Sequence, residues 1–296
     1  MTRTLPDAAV PPWALALAAM LSVQLGSALS VGLIATAGPA GTAWLRLTFG
    51  AVVFLLIARP PLRSIRRRDL PAIVGLGITT GLVTICFLAA IERIPLGTAV
   101  AIEFLGPLTV AAIRSHSARA LIWPAFALVG VILLTDPWRG MIDPAGVGFA
   151  ALAAVGWAAY IVLTQRIGDR FTGIQALSIT VPVAALTAAT VGLPQAIGHI
   201  GVGEIAVAAG LAILLPVLPF ALEMLALRRM TSTAFGTLMA LEPAIGVLLG
   251  LLVLHQSPRP LQIVGIALVV AAGAAAQLGG HGSRRESALE LPGLIE

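Results

Sequence analysis

The stretch LPFALEMLALRRMTSTAFGTLMALEPAIGVLLGLLVL (residues 218–254) decides how the chain is built. An apolar run ends at Arg228 and Arg229, and a second apolar run follows over 233–254. About twenty helical residues, at 1.5 Å each, cross the roughly 30 Å of bilayer hydrocarbon. Glu223, Glu242 and Pro243 lie inside these runs. In water a proline there argues against a helix. In a bilayer, neighbouring helices satisfy the backbone groups it frees.

The same pattern extends in both directions and predicts an all-α integral membrane protein of ten transmembrane helices. The expected spans are 13–35, 41–58, 70–91, 96–113, 120–135, 145–164, 174–194, 204–226, 233–254 and 261–279. Composition agrees: of 296 residues, 58% are hydrophobic and only 10% charged, too few charges for a soluble surface. Arg3 and the first span resemble a secretion signal, but the span is long for one and is read as retained. All 18 basic residues are arginine, so neither a Walker-A lysine nor a Schiff-base lysine exists. The single cysteine, Cys86, falls inside a span and reads as a packing residue. The net charge of +5 is spread over short loops and does not point to nucleic acid. His116, His199, His255 and His281 show no metal-ligand spacing, so no metal and no cofactor is expected.

Arginine placement predicts orientation. Fourteen arginines would share one side: Arg3, Arg59, Arg63, Arg66, Arg67, Arg68, Arg114, Arg119, Arg166, Arg170, Arg228, Arg229, Arg284 and Arg285. Arg93, Arg139 and Arg259 would take the other, which puts both termini in the cytoplasm. The chain also repeats itself. AIERI (90–94) and ALRRM (226–230) are 226 − 90 = 136 residues apart, and the same offset carries Pro107 onto Pro243. Five spans fill that spacing, and five is odd, so the second copy enters the membrane upside down. The expectation is two inverted repeats, 1–135 and 145–279, followed by a polar, structureless cytoplasmic tail at 280–296.

LSVQLGSALS (21–30), GTAWLRLTFG (41–50), PLGTAVAIEFLGPLTVA (95–111) and residues 218–246 resemble the bacterial threonine/homoserine exporters, in the EamA branch of the drug/metabolite transporter superfamily. The resemblance covers all ten spans. It implies a multi-pass inner-membrane exporter of threonine, homoserine and related amino acids, driven by the proton motive force. Its partners would be an amino-acid substrate, protons and the lipid bilayer, with a homodimer left open. Where that family closes span nine with Gly-Glu, this chain has His255-Gln256.

Ionisable groups inside spans are costly and so mark candidate sites. Glu103 and Glu242 lie deep in spans four and nine. Glu103 + 136 falls at 239, three residues short of Glu242 and on the same helical face. Pro107 and Pro243 stand beside them and free backbone carbonyls. Substrate binding is assigned to Gln24, Arg46, Glu103, Trp157 and Tyr160, and proton coupling to Glu242 and Glu223. The bland alternatives are that Arg46 snorkels to the interface, that Glu223 pairs with Arg228 and Arg229, and that the prolines only kink packed helices. Trp13, Trp44, Trp123 and Trp138 read as interfacial belt residues. Gly77/Gly81 and Gly246/Gly250 read as close-packing motifs. An exporter of another small metabolite is the nearest alternative. A membrane enzyme acting on lipid-linked substrates is disfavoured because no nucleophile–base or metal constellation is seen, and a channel because of the inverted repeat with midplane carboxylates.

Overall fold

The computed structural model describes residues 10–58, 67, 69–114, 121–139, 142–167 and 173–289. Side chains are described in those stretches as far as 277, except at 166, 167, 232 and 233. Arg3, Arg59, Arg63, Arg66, Arg68, Arg119, Arg170 and His116 lie outside the described residues, as do the side chains of Arg166, His281, Arg284 and Arg285. The helices are α1 (Pro12–Ala58), α2 (Leu70–Ile91), α3 (Leu96–Arg114), α4 (Ile122–Thr135), α5 (Pro144–Ile167), α6 (Ile174–Ala196), α7 (Val202–Ala212), α8 (Leu218–Leu227), α9 (Ser232–Met239), α10 (Glu242–Leu254) and α11 (Pro260–Leu289). Among the described residues, eight helical stretches are long and apolar enough to cross a membrane.

α1 spans 47 residues, yet it is not one rod. Gly38 sits at φ 68° and ψ 168°, outside helical space and in a region open to glycine. Nη1 of Arg46 donates to Ser30 Oγ at 2.8 Å, across 16 residues of sequence. Sixteen residues of straight helix measure about 24 Å, so the chain must double back at Gly38. The arms are residues 12–37 and 39–58, matching the first two expected spans.

Glycines show how the other helices pair. A Cβ on Gly77 would meet Val183 of α6, and one on Gly81 would meet Ala184 and Thr187, so α2 and α6 run parallel. Gly41 meets Ala196 while Gly50 meets Val181, so the second arm of α1 runs antiparallel to α6. Gly97 packs on Val247 and Gly246 on Val100, setting α3 antiparallel to α10. Gly130 and Gly265 touch where α4 and α11 cross. The expected close-packing motifs are therefore packing sites. These directions gather the turns at 38–41, 92–95, 136–139, 197–201 and 255–259 at one end of the bundle. Outside, Leu56, Val155 and Leu186 are exposed, leaving an apolar surface suited to lipid.

Several details differ from the expectation. α4 has only 14 residues, about 21 Å, because Asp136 caps it in a left-handed conformation and Pro137 follows. Span eight is broken by a π turn at Ile213–Val217, with Leu215 at φ −158° and ψ 113°. Span nine is divided at Ala240 and Leu241 into α9 and α10. α11 continues to Leu289, so the first part of the expected tail is helical. Trp44 is half-buried, its Cβ lying 2.8 Å from where a Cβ on Gly192 of α6 would stand.

Candidate functional site

Three glutamates converge from three helices. Glu103 sits in the unbroken α3, Glu223 in α8 just after the π turn, and Glu242 at the first residue of α10. Pro243 suits that helix start because its missing N–H would have no partner there. A carboxylate in the first turn also faces the positive end of the helix dipole. Glu103 and Glu242 interact electrostatically, and so do Glu242 and Glu223. The Trp157 side chain hydrogen-bonds Glu103 from α5, its indole N–H donating. Tyr160 packs edge-on against Trp157, with ring centroids 5.2 Å apart, and feels the charge of Glu223. All five residues are half-buried. Glu223 thus faces Tyr160 and Glu242, and no ion pair with Arg228 or Arg229 appears among the described residues.

Gln24 and Arg46 lie elsewhere, inside the α1 hairpin. Arg46 is 4% exposed, so it does not snorkel to the interface. Its hydrogen bond to Ser30 ties the two arms together, and its Nε has no partner. Gln24 is also buried, with Oε1 unpartnered. Among the described residues, no interaction joins Arg46 to the three glutamates. The structure thus brings together Glu103, Trp157, Tyr160, Glu223 and Glu242, and does not bring Gln24 and Arg46 to them. Pro107 stays within a continuous α3, whereas Pro243 follows a tightened turn at Ala240 and Leu241, whose backbones remain in the right-handed helical region.

Sequence reasoning missed Ser22 and the π turn. Ser22 Oγ donates to the Leu214 carbonyl at 2.8 Å, satisfying a group that the break frees. The signal was present: Pro216 and Pro219 lie three residues apart within one span. It also missed Gln195, and it noted Gln256 without its contact; their side chains reach across to α1 and α3.

A bundle of apolar helices that brings three carboxylates together fits the class of membrane transporters. The model of the EamA-like transporter family matches residues 144–275. The chain is 33% identical over 271 residues to the threonine/homoserine exporter RhtA of Escherichia coli (strain K12), covering 88% of this chain and 89% of that one. It is 33% identical over 266 residues to RhtA of Salmonella typhimurium (strain LT2), covering 86% and 88%. The crystal structure of another protein shares the fold with a TM-score of 0.57 at 21% identity, over 90% of this chain and 98% of that one. The chain belongs to the threonine/homoserine exporter family of EamA-like transporters. It is a multi-pass membrane transporter and not an enzyme.

Proposed function

We propose that this protein exports threonine, homoserine and similar small amino acids from the cytoplasm in exchange for protons. The observation that carries the reading is the interacting trio Glu103, Glu242 and Glu223, with no arginine among them. Three carboxylates drawn from helices early and late in the chain call for positive charge. A substrate ammonium group can supply it, and so can protons. Competition between the two at one cluster is the essence of exchange. Trp157 adds an aromatic wall against which an ammonium group is attracted.

In this scheme ten spans form two inverted five-helix halves, with α1 counted as two spans and α4 as one. Pairing of the second arm with α6, α3 with α10, and α4 with α11 supports that arrangement, because each joins corresponding spans of the two halves. The turns carrying Arg93, Arg139 and Arg259 would face outward from the inner membrane, with both termini in the cytoplasm. Glu242, just after the tightened turn in its span, takes up a proton from outside as substrate leaves. It releases that proton inside as the next ammonium arrives. Glu103, fixed by Trp157, meets the ammonium group.

Purified protein in liposomes loaded with threonine should take up labelled threonine by saturable counterflow, with homoserine competing. An inward-acid pH gradient in inside-out vesicles should drive accumulation. Absence of saturable exchange for every small amino acid tried would sink the substrate assignment and favour another metabolite. Labelling of single cysteines in the 59–69 loop from outside intact cells, on a Cys86→Ser background, would reverse the orientation.

A further inference from the structure

At the end of the bundle that gathers the five turns, helices α1–α4 are joined to helices α5–α11 by polar links. Gln195 of α6 accepts the backbone N–H groups of Ala40 and Gly41 at 2.8 and 3.1 Å. Gln256, just past α10, accepts the N–H of Leu96 at 2.9 Å. Arg259 Nη1 lies 3.1 Å from Asp136 Oδ2, and Gln262 donates to the Leu134 carbonyl at 2.9 Å. Arg93 and Asp143 are 3.8 Å apart.

The two glutamines are built alike. Each sits at the C-terminal end of a helix in the second group, Gln195 in the last turn of α6 and Gln256 two residues past α10. Each satisfies the first N–H groups of the helix that its own helix packs against antiparallel. Those N–H groups have no partner within their own helices. Each glutamine amide also rests on a glycine. A Cβ on Gly38 would collide with the Gln195 amide, and one on Gly250 would stand 2.8 Å from Gln256 Oε1. Beside them the backbones touch closely, Gly192 against Ala40 and Gly97 against Val247. Thr98, two residues along α3 from the Gln256 link, is 2% exposed.

We propose that Gln195 and Gln256 are paired latches that hold this end of the transporter shut and release together when it opens. A latch must be reversible. A neutral amide on a helix N-terminus meets that need, because water replaces both donor and acceptor when the halves part. A carboxylate at the same place would bind the helix end more strongly and resist opening. The inference rests on the alternating-access reading but not on which end faces outward.

The test uses the full chain in lipid nanodiscs, where both ends meet the reagent whatever the orientation and no substrate is required. Reporter cysteines replace Thr98, beneath the latches, or Thr164, exposed towards the far end of α5, on a Cys86→Ser background. Maleimide labelling rates are compared with Gln195→Met, Gln256→Met, both together, and Gln256→Glu. The Met variants should speed labelling of Thr98→Cys several-fold, the double variant most, while slowing labelling of Thr164→Cys. Gln256→Glu should slow labelling of Thr98→Cys. Unchanged rates at Thr98→Cys in the double variant, or faster rates at both reporters, overturn the proposal. The second outcome would make the glutamines ordinary structural caps. A protein that passes this test while transporting no amino acid would leave the latches standing and sink only the exporter reading.

Discussion

Glu103 and Glu242 look interchangeable in sequence, each deep in a span and each beside a proline, yet their backbones differ. α3 runs unbroken through Glu103 and Pro107. The corresponding stretch later in the chain stops at Met239 and restarts at Glu242. Pro107 costs one hydrogen bond in mid-helix and is tolerated, because α3 is braced by close packing of Gly97 on α10 and Gly106 on α5. Pro243 sits where a helix begins and lets the chain turn just before it. A carboxylate on a continuous helix, held by an indole, is suited to a fixed ligand. One just after a tightened turn can change its surroundings with a small backbone movement, which a coupling group requires.

The sharpest way to break this comparison is to neutralise each acid. Glu242→Gln should reduce pH-gradient-driven accumulation to background yet keep threonine counterflow. Glu103→Gln should impair both, through lost binding. Equal loss of both activities in the two variants would erase the distinction, and intact gradient-driven transport in Glu242→Gln would move coupling to Glu223.

The next largest effect concerns the buried cation, which both helices lack. Arg46→Ala removes a charge-assisted hydrogen bond worth about 1.5–3 kcal/mol and leaves Ser30 buried beside a void. Thermal unfolding should shift downward accordingly. Arg46→Lys separates that role from recognition of a substrate carboxylate. A raised KM at unchanged melting temperature would place the carboxylate on Arg46, and a lowered melting temperature at unchanged KM would make Arg46 a clasp of the α1 hairpin.

Trp157→Phe tests the fixed side alone. It keeps an aromatic ring but removes the N–H that holds Glu103. KM should rise about tenfold, equivalent to about 1.4 kcal/mol, with the ratio of driven to exchange flux unchanged. A change in that ratio would mean that Glu103 also takes part in coupling.

The smallest effects belong to the prolines. Pro107→Ala restores an N–H to a helix that is already continuous, so transport should change little. Pro243→Ala removes the residue that favours the restart and should slow turnover at saturating substrate. Equal kinetics in the two variants would show that the turn at Ala240 and Leu241 has no bearing on the cycle.

Much of this architecture was legible along the chain. Span length and the isolation of glutamates among apolar residues both follow from the cost of polar groups in hydrocarbon, which acts on every stretch locally. That cost located Glu103, Glu223 and Glu242 and led to the transporter class. Partner choice is not local. Nothing in the order of residues says that Arg46 meets Ser30, that Glu223 turns from Arg228 towards Tyr160, or that Gln195 and Gln256 reach the N-termini of distant helices. Nor does it say which proline stands beside a turn in its span, since that depends on the neighbours available to satisfy the freed groups. These outcomes were decided by packing, where glycines set how closely two backbones approach and so which side chains come within reach.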